Sequence, residues 1–160
     1  MTRIDFYKLA SSDLRLRRQL VCRITEKAWR TGITIYIRAA DQEEGRLLDD
    51  MLWTFRQGSF IPHALLSEGG GIPDNVSVLI GVQSQPQQGY TGLLIDLKLD
   101  HAAPQDTFER IVVVLNEDPL ILQQGRLRYK EYREAGFQIE THFLDAAGNA
   151  VMAPPAQEKA

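Results

Sequence analysis

The sequence predicts an α/β fold in which a mostly parallel β-sheet lies between helices. Three observations carry that expectation. The runs "ITIYIRAA" (33–40) and "RIVVVLN" (110–116) are β-branched and apolar at consecutive positions, the pattern of strands covered on both faces. The N-terminal third alternates strand, helix, strand, helix, which builds parallel pairs joined by right-handed crossovers. A third helical stretch, at 118–135, again stands between two strand candidates.

Taken in order, "RIDFYKLA" (3–10) alternates apolar and polar residues and is the first strand. "SSDLRLRRQLVCRITEKAWRTG" follows, with Ser12 as N-cap, Leu16, Leu20, Ile24 and Ala28 near one helical face, and Gly32 as the stop. Residues 33–40 form the second strand. In "DQEEGRLLDDMLWTF", Asp41 and Glu44 have the spacing of a capping box that opens the second helix. Between 56 and 75 two prolines and four glycines break the pattern, so this segment reads as a long connection with one short strand at 60–65. "VSVLIGV" (76–82), "GLLIDLKL" (92–99) and residues 110–116 supply further strands. A helix then runs from Asp118 to Ala135, closes at Gly136, and leads into a last strand, "FQIETHFL" (137–144). The domain therefore spans 1–144, and the small, polar, proline-containing tail 145–160 is expected to be disordered.

A chain of 160 residues suits one domain that buries about 70% of its unfolded surface. Its net charge of -3 argues against bulk attraction to nucleic acid or anionic lipid, so any anion site must be local. Cys22, the only cysteine, lies in the apolar run "QLVCRI"; no intrachain disulfide is possible, and core packing is its expected role. The N-terminus reads as a strand rather than a signal peptide, and no apolar run approaches the roughly 18 residues that span a membrane. A soluble cytoplasmic protein is expected.

Enzyme signatures fail one by one. "EGGGIPDN" lacks the Lys-Ser/Thr ending of a phosphate-binding loop and no helix follows it. His63, His101 and His142 fall in separate segments without metal-ligand spacing, so no metal is expected, nor any other cofactor. Glu43, Glu44, Asp49 and Asp50 suit a solvated helix face. "GYTG" and "SEGG" do not form a nucleophile elbow.

Two stretches stand out. In "MLWTFRQGSFIPHAL", Trp53, Phe55, Phe60 and Ile61 bracket a short polar turn after the second helix, where they either cap the core or form a docking surface. In "GRLRYKEYREAGF" (125–137), Arg126, Arg128, Lys130 and Arg133 crowd into an acidic chain, with Tyr129 and Tyr132 among them. On a helical wheel Leu122, Arg126, Tyr129, Lys130 and Arg133 share one sector, beside a core stripe of Ile121, Gly125 and Tyr132. A solvated basic face does not need an aromatic among its charges. A ligand with acidic and aromatic parts does, since Arg forks onto carboxylates while rings and aliphatic stems pack the apolar part. Arg15, Arg17 and Arg18 form a second basic group, without an aromatic, and read as solvated surface.

The motifs "DFY", "QLVC", "AWRTG", "LW", "SFIPH" and "RYKEYREAGF", in that order over residues 3–143, resemble the chi subunit family of bacterial DNA polymerase III holoenzyme. The resemblance implies a three-layer α/β/α fold like that of mononucleotide-binding domains, no catalysis, and a bridge between the clamp loader and single-stranded DNA-binding protein. In the family, the region of the last helix receives the acidic tail of single-stranded DNA-binding protein, which ends in a Phe with a free carboxylate. Arg126, Tyr129, Lys130 and Arg133 align with that pocket, and Leu115 aligns with an apolar wall residue. A basic family position one turn earlier is Leu122 here, which removes one charge contact. The aromatic segment aligns with the surface that holds the psi subunit, through Trp53, Phe60 and Ile61; the family also offers this surface to a helicase. The rival readings are a nucleotide-dependent enzyme on the same fold, which would need a phosphate cradle, and a direct single-stranded DNA binder, which the net charge disfavours.

Overall fold

A computed structural model describes residues 2–151 except 57, 59, 67–72, 85, 87–88 and 101–106. Among these residues, eight strands form one sheet in the order β3-β4-β2-β5-β6-β1-β7-β8. They are β1 (Arg3–Leu9), β2 (Ile35–Arg38), β3 (His63–Leu65), β4 (Val78–Gly81), β5 (Leu93–Asp96), β6 (Arg110–Leu115), β7 (Ile139–Leu144) and β8 (Ala150–Val151). Every pairing is parallel except that of β7 with β8. Among the described residues, three helices cover the sheet: α1 (Leu14–Trp29), α2 (Gln42–Thr54) and α3 (Pro119–Glu134).

Alternation along each strand divides the interior into two cores. Leu9, Ile35, Ile37, Ile80, Ile95, Val112 and Val114 pack with Leu20, Val21 and Cys22 of α1 and Leu48 and Leu52 of α2. Ile4, Phe6, Tyr36, Leu94, Val113 and Leu115 pack with Tyr132 of α3. The two faces explain the consecutive apolar residues in the sequence, because neither face is left to water. They also make the fold three-layered, with α1 and α2 on one side and α3 on the other. Cys22 is fully buried, and burial pushes its thiol up to about 12, so it serves as core packing.

Local signals place the helix ends, with one shift. The N-cap of α1 is Asp13, whose Oδ1 accepts from the Arg15 backbone N at 2.8 Å, and not Ser12. Asp offers a charged acceptor to the positive end of the helix. Gly32 follows the helix with a φ of 84°, the left-handed geometry that glycine permits. At α2, Asp41 Oδ1 accepts from Glu44 N at 2.8 Å, while Glu44 Oε1 accepts from Ala40 N at 2.9 Å, a capping box reaching one residue further back.

The C-terminal boundary needs correction. Residues 145–151, expected to be disordered, make a tight turn in which Asp145 Oδ1 accepts from the Ala147 and Asn149 backbones at 2.9 Å each, and β8 then pairs with β7. The turn from Asp145 to Asn149 satisfies its own backbone, which composition alone does not reveal. The rest of that tail, 152–160, lies outside the described residues, as do His101, all of "SEGG" and the glycines of "EGGGIPDN".

One ion pair lies inside the α3-side core, at the carboxyl ends of neighbouring strands. Arg38 and Asp96 are register partners, 1% and 0% exposed, with Arg38 Nη1 3.5 Å from Asp96 Oδ2. Burial pushes the Asp96 carboxyl up to about 6, against the opposing pull of Arg38, the Lys98 backbone N–H, Arg17 and Arg128. A folded value above the unfolded one means the folded chain holds more protons between the two, so this group adds stability as pH falls from about 6 toward the unfolded value. We predict that urea unfolding shows the advantage of wild type over Asp96→Asn growing by about 1 kcal/mol from pH 7 to pH 5. A difference that does not change with pH would contradict the assignment.

Candidate functional site

The basic stretch folds as α3. Asp118 caps it, accepting from Leu120 N at 3.0 Å and Ile121 N at 3.2 Å, and Pro119 occupies the first turn, where its missing N–H costs nothing. Gly125, Arg128 and Tyr132 are buried, and Ile121 and Tyr129 pack beside them. Arg126, Lys130 and Arg133 are exposed and, at spacings of four and three, lie along one side of the helix. Tyr129 is half-buried, its ring edge-on to Phe6 with centroids 5.3 Å apart, so it borders the cations as a fixed apolar surface.

One member of the stretch differs from its sequence reading. Arg128 is 8% exposed and spends its charge on Glu131, Nη2 to Oε1 at 2.7 Å, so it does not belong to the exposed cations. Leu115 is only 6% exposed, pressed against the helix at Gly125. A Cβ at 125 would lie 2.6 Å from Leu115 Cδ2, so the glycine sets how closely α3 approaches β6. Glycine inside a helix, against propensity, was the available signal.

The aromatic stretch is built differently. Trp53 at the end of α2 and Phe60 in the following segment are 52% and 61% exposed, with ring centroids 5.5 Å apart. Behind Trp53, at 4.7 Å, stands the ring of His63. Its two nitrogens face oxygens on either side, Nδ1 the Ile61 carbonyl at 2.7 Å and Nε2 the Asp49 carbonyl at 3.2 Å. Ile61, expected beside Trp53 and Phe60, is 1% exposed and belongs to the core under α2. Its carbonyl steadies His63 while its side chain is out of reach. Phe55 is likewise packed against that core.

Glu26, for which the sequence offered no signal, ties the aromatic segment to α1. It is 6% exposed; Oε1 lies 2.5 Å from Arg56 Nη1 and Oε2 3.6 Å from Arg30 Nη2. Of the other basic group, Arg17 is buried and donates through Nε to the Val114 carbonyl at 2.9 Å, and Arg18 contacts Glu44 at 3.5 Å, so only Arg15 is solvated surface. Among the described residues, one cluster has the composition of a metal site: Asp5, Glu140 and His142. Arg110 at 2.8 Å and Arg3 at 3.3 Å already hold Asp5 Oδ2, and Arg3 also reaches Glu140. Burial raises the Asp5 carboxyl, but the hydrogen bonds from His142 and Arg110 and the charges of Arg110 and Arg3 outweigh it and leave Asp5 below its ordinary value. Two carboxylates balanced by two guanidiniums suit a partly buried ion network better than a divalent cation.

The tight α3–β6 contact has a measurable consequence. Gly125→Ala gains up to about 1 kcal/mol of helix propensity but overpacks Leu115 at a cost of about 1–3 kcal/mol. Chemical denaturation should show a net loss of about 1 kcal/mol, and a net gain of stability would mean the contact is slack.

A family model described as DNA polymerase III chi subunit, HolC, matches residues 1–140. DNA polymerase III subunit chi of Pseudomonas aeruginosa is 38% identical over 144 residues, covering 90% of this chain and 98% of the relative. The Escherichia coli subunit of the same name is 34% identical over 125 residues, 77% of this chain and 82% of the relative. That of Haemophilus influenzae is 24% identical over 138 residues, 86% and 94%. Among solved structures, the crystal structure of T4 UvsW aligns with a TM-score of 0.62 over 91% of this chain and 42% of that one. At 8% identity it shares the α/β fold alone. On the family match and the two relatives above 30% identity, the chain belongs to the DNA polymerase III chi subunit family.

Proposed function

We propose that the chain is a cytoplasmic, non-catalytic adaptor of the replisome, joining the clamp loader, through psi, to the acidic C-terminal tail of single-stranded DNA-binding protein. One observation supports the reading most: two unlike exposed surfaces stand on helices that pack against opposite faces of the sheet. Arg126, Lys130 and Arg133 line α3, while Trp53 and Phe60 follow α2.

On α3, Tyr129 gives an apolar floor for the terminal Phe of the tail, and Leu115 supports that floor from below. Arg126 forks onto the terminal carboxylate, and Lys130 and Arg133 face the acidic residues before it. Lys130 is already 3.9 Å from Glu134, an exposed pair that contributes little and yields readily to a better partner. On the other surface, Trp53 and Phe60 are the hot spots for psi, or for a helicase in its place, and Ile61 acts only through the backbone that steadies His63.

A fluorescent peptide copying the tail of the host's single-stranded DNA-binding protein should bind with a Kd in the micromolar range, roughly -8 kcal/mol, and removal of its terminal Phe should nearly abolish binding. Arg126→Ala should weaken binding about tenfold at low salt, and added salt should narrow the gap. Unchanged affinity in Arg126→Ala would contradict the reading.

A further inference from the structure

We propose that the aromatic surface at Trp53 includes a carboxylate subsite formed by Arg30 and Arg56, so that the partner docked there places an Asp or Glu side chain beside the apolar residue covering Trp53 and Phe60. The inference rests on the reading that this surface binds psi, and adds the chemistry that psi must carry.

Glu26 is the starting point. Its single carboxylate lies between two guanidiniums, Arg56 at 2.5 Å and Arg30 at 3.6 Å. Among the described residues it is the only acid that either arginine touches. The acid is buried while the side chains of Arg30 and Arg56 are 62% and 58% exposed, so the unit of three presents one net positive charge outward. Each guanidinium carries five N–H donors in a fixed fork, and one contact to Glu26 leaves donors facing solvent.

The position is what turns this charge into a docking feature. Arg56 follows Trp53 by three residues, and the Phe60 ring is 5.5 Å from Trp53. Arg30, the C-cap of α1, is tied to the same segment through Glu26. A partner that buries the aromatic pair and extends past the end of α2 toward α1 covers these exposed guanidiniums. Covering net positive charge with apolar surface costs desolvation with nothing in return, and a Lys or Arg there adds repulsion. A carboxylate satisfies the outward donors and fixes the register of the apolar anchor.

The test is binding of the host's psi subunit to wild type, Arg30→Glu, Arg56→Ala and Trp53→Ala, at about 50 mM and about 500 mM salt, where screening lengths differ roughly threefold. Arg30→Glu and Arg56→Ala should each weaken binding at least about fivefold at low salt and approach wild type at high salt, whereas Trp53→Ala loses affinity at both. Tryptophan emission of the free variants checks that the surface is intact. If Arg56→Ala shifts it, Arg30→Glu decides, since Arg30 caps α1 and, among the described residues, reaches the segment only through Glu26. Loss of binding in Trp53→Ala with both charge variants unchanged overturns the subsite and leaves the partner reading standing. No binding of psi to wild type, or full binding in Trp53→Ala, overturns both.

Discussion

A parallel sheet must be covered on both faces, and the rest of this molecule follows from how the chain meets that demand. β1 and β6 are neighbours, yet their following connections run in opposite directions, α1 toward β2 and α3 toward β7. Crossovers of one hand that run in opposite directions land on opposite faces. The α3 surface and the aromatic surface are therefore kept apart by the sheet itself, each on its own core. A bridging protein needs that separation, because two partners can be held together only if neither excludes the other.

Each surface rests on buried groups that hold its exposed residues in place. On α3, Gly125 lets the helix settle onto Leu115, and Phe6 fixes the ring of Tyr129, so the exposed cations stand beside a rigid apolar edge. At the aromatic surface, His63 stands behind Trp53, and Glu26 draws Arg56 onto α1. Preorganisation of this kind lowers the entropy cost of binding.

Much of this was legible in the sequence. Consecutive apolar residues in "ITIYIRAA" and "RIVVVLN" reported strands buried on both sides, and Asp41, Gly32 and Asp118 marked helix ends by chemistry that acts locally. The charged helix face with its aromatic was visible because helical periodicity places Arg126, Tyr129, Lys130 and Arg133 together. What depends on distant pairing was not legible. Arg128 looks like its basic neighbours until the helix is laid on the sheet, Ile61 looks like Phe60 until the core closes over it, and nothing near Glu26 in sequence announces Arg56. The turn at Asp145 is local, but its pairing partner β7 is needed to make it a strand, and composition saw only small polar residues.

The account's central claim is that two partners occupy this chain at once, and calorimetric titration of the tail peptide, with and without saturating psi, tests it most directly. Independent sites predict a peptide affinity that changes by no more than about 0.5 kcal/mol when psi is bound. Displacement of the peptide by psi would show that the surfaces overlap, and the bridging account would be wrong.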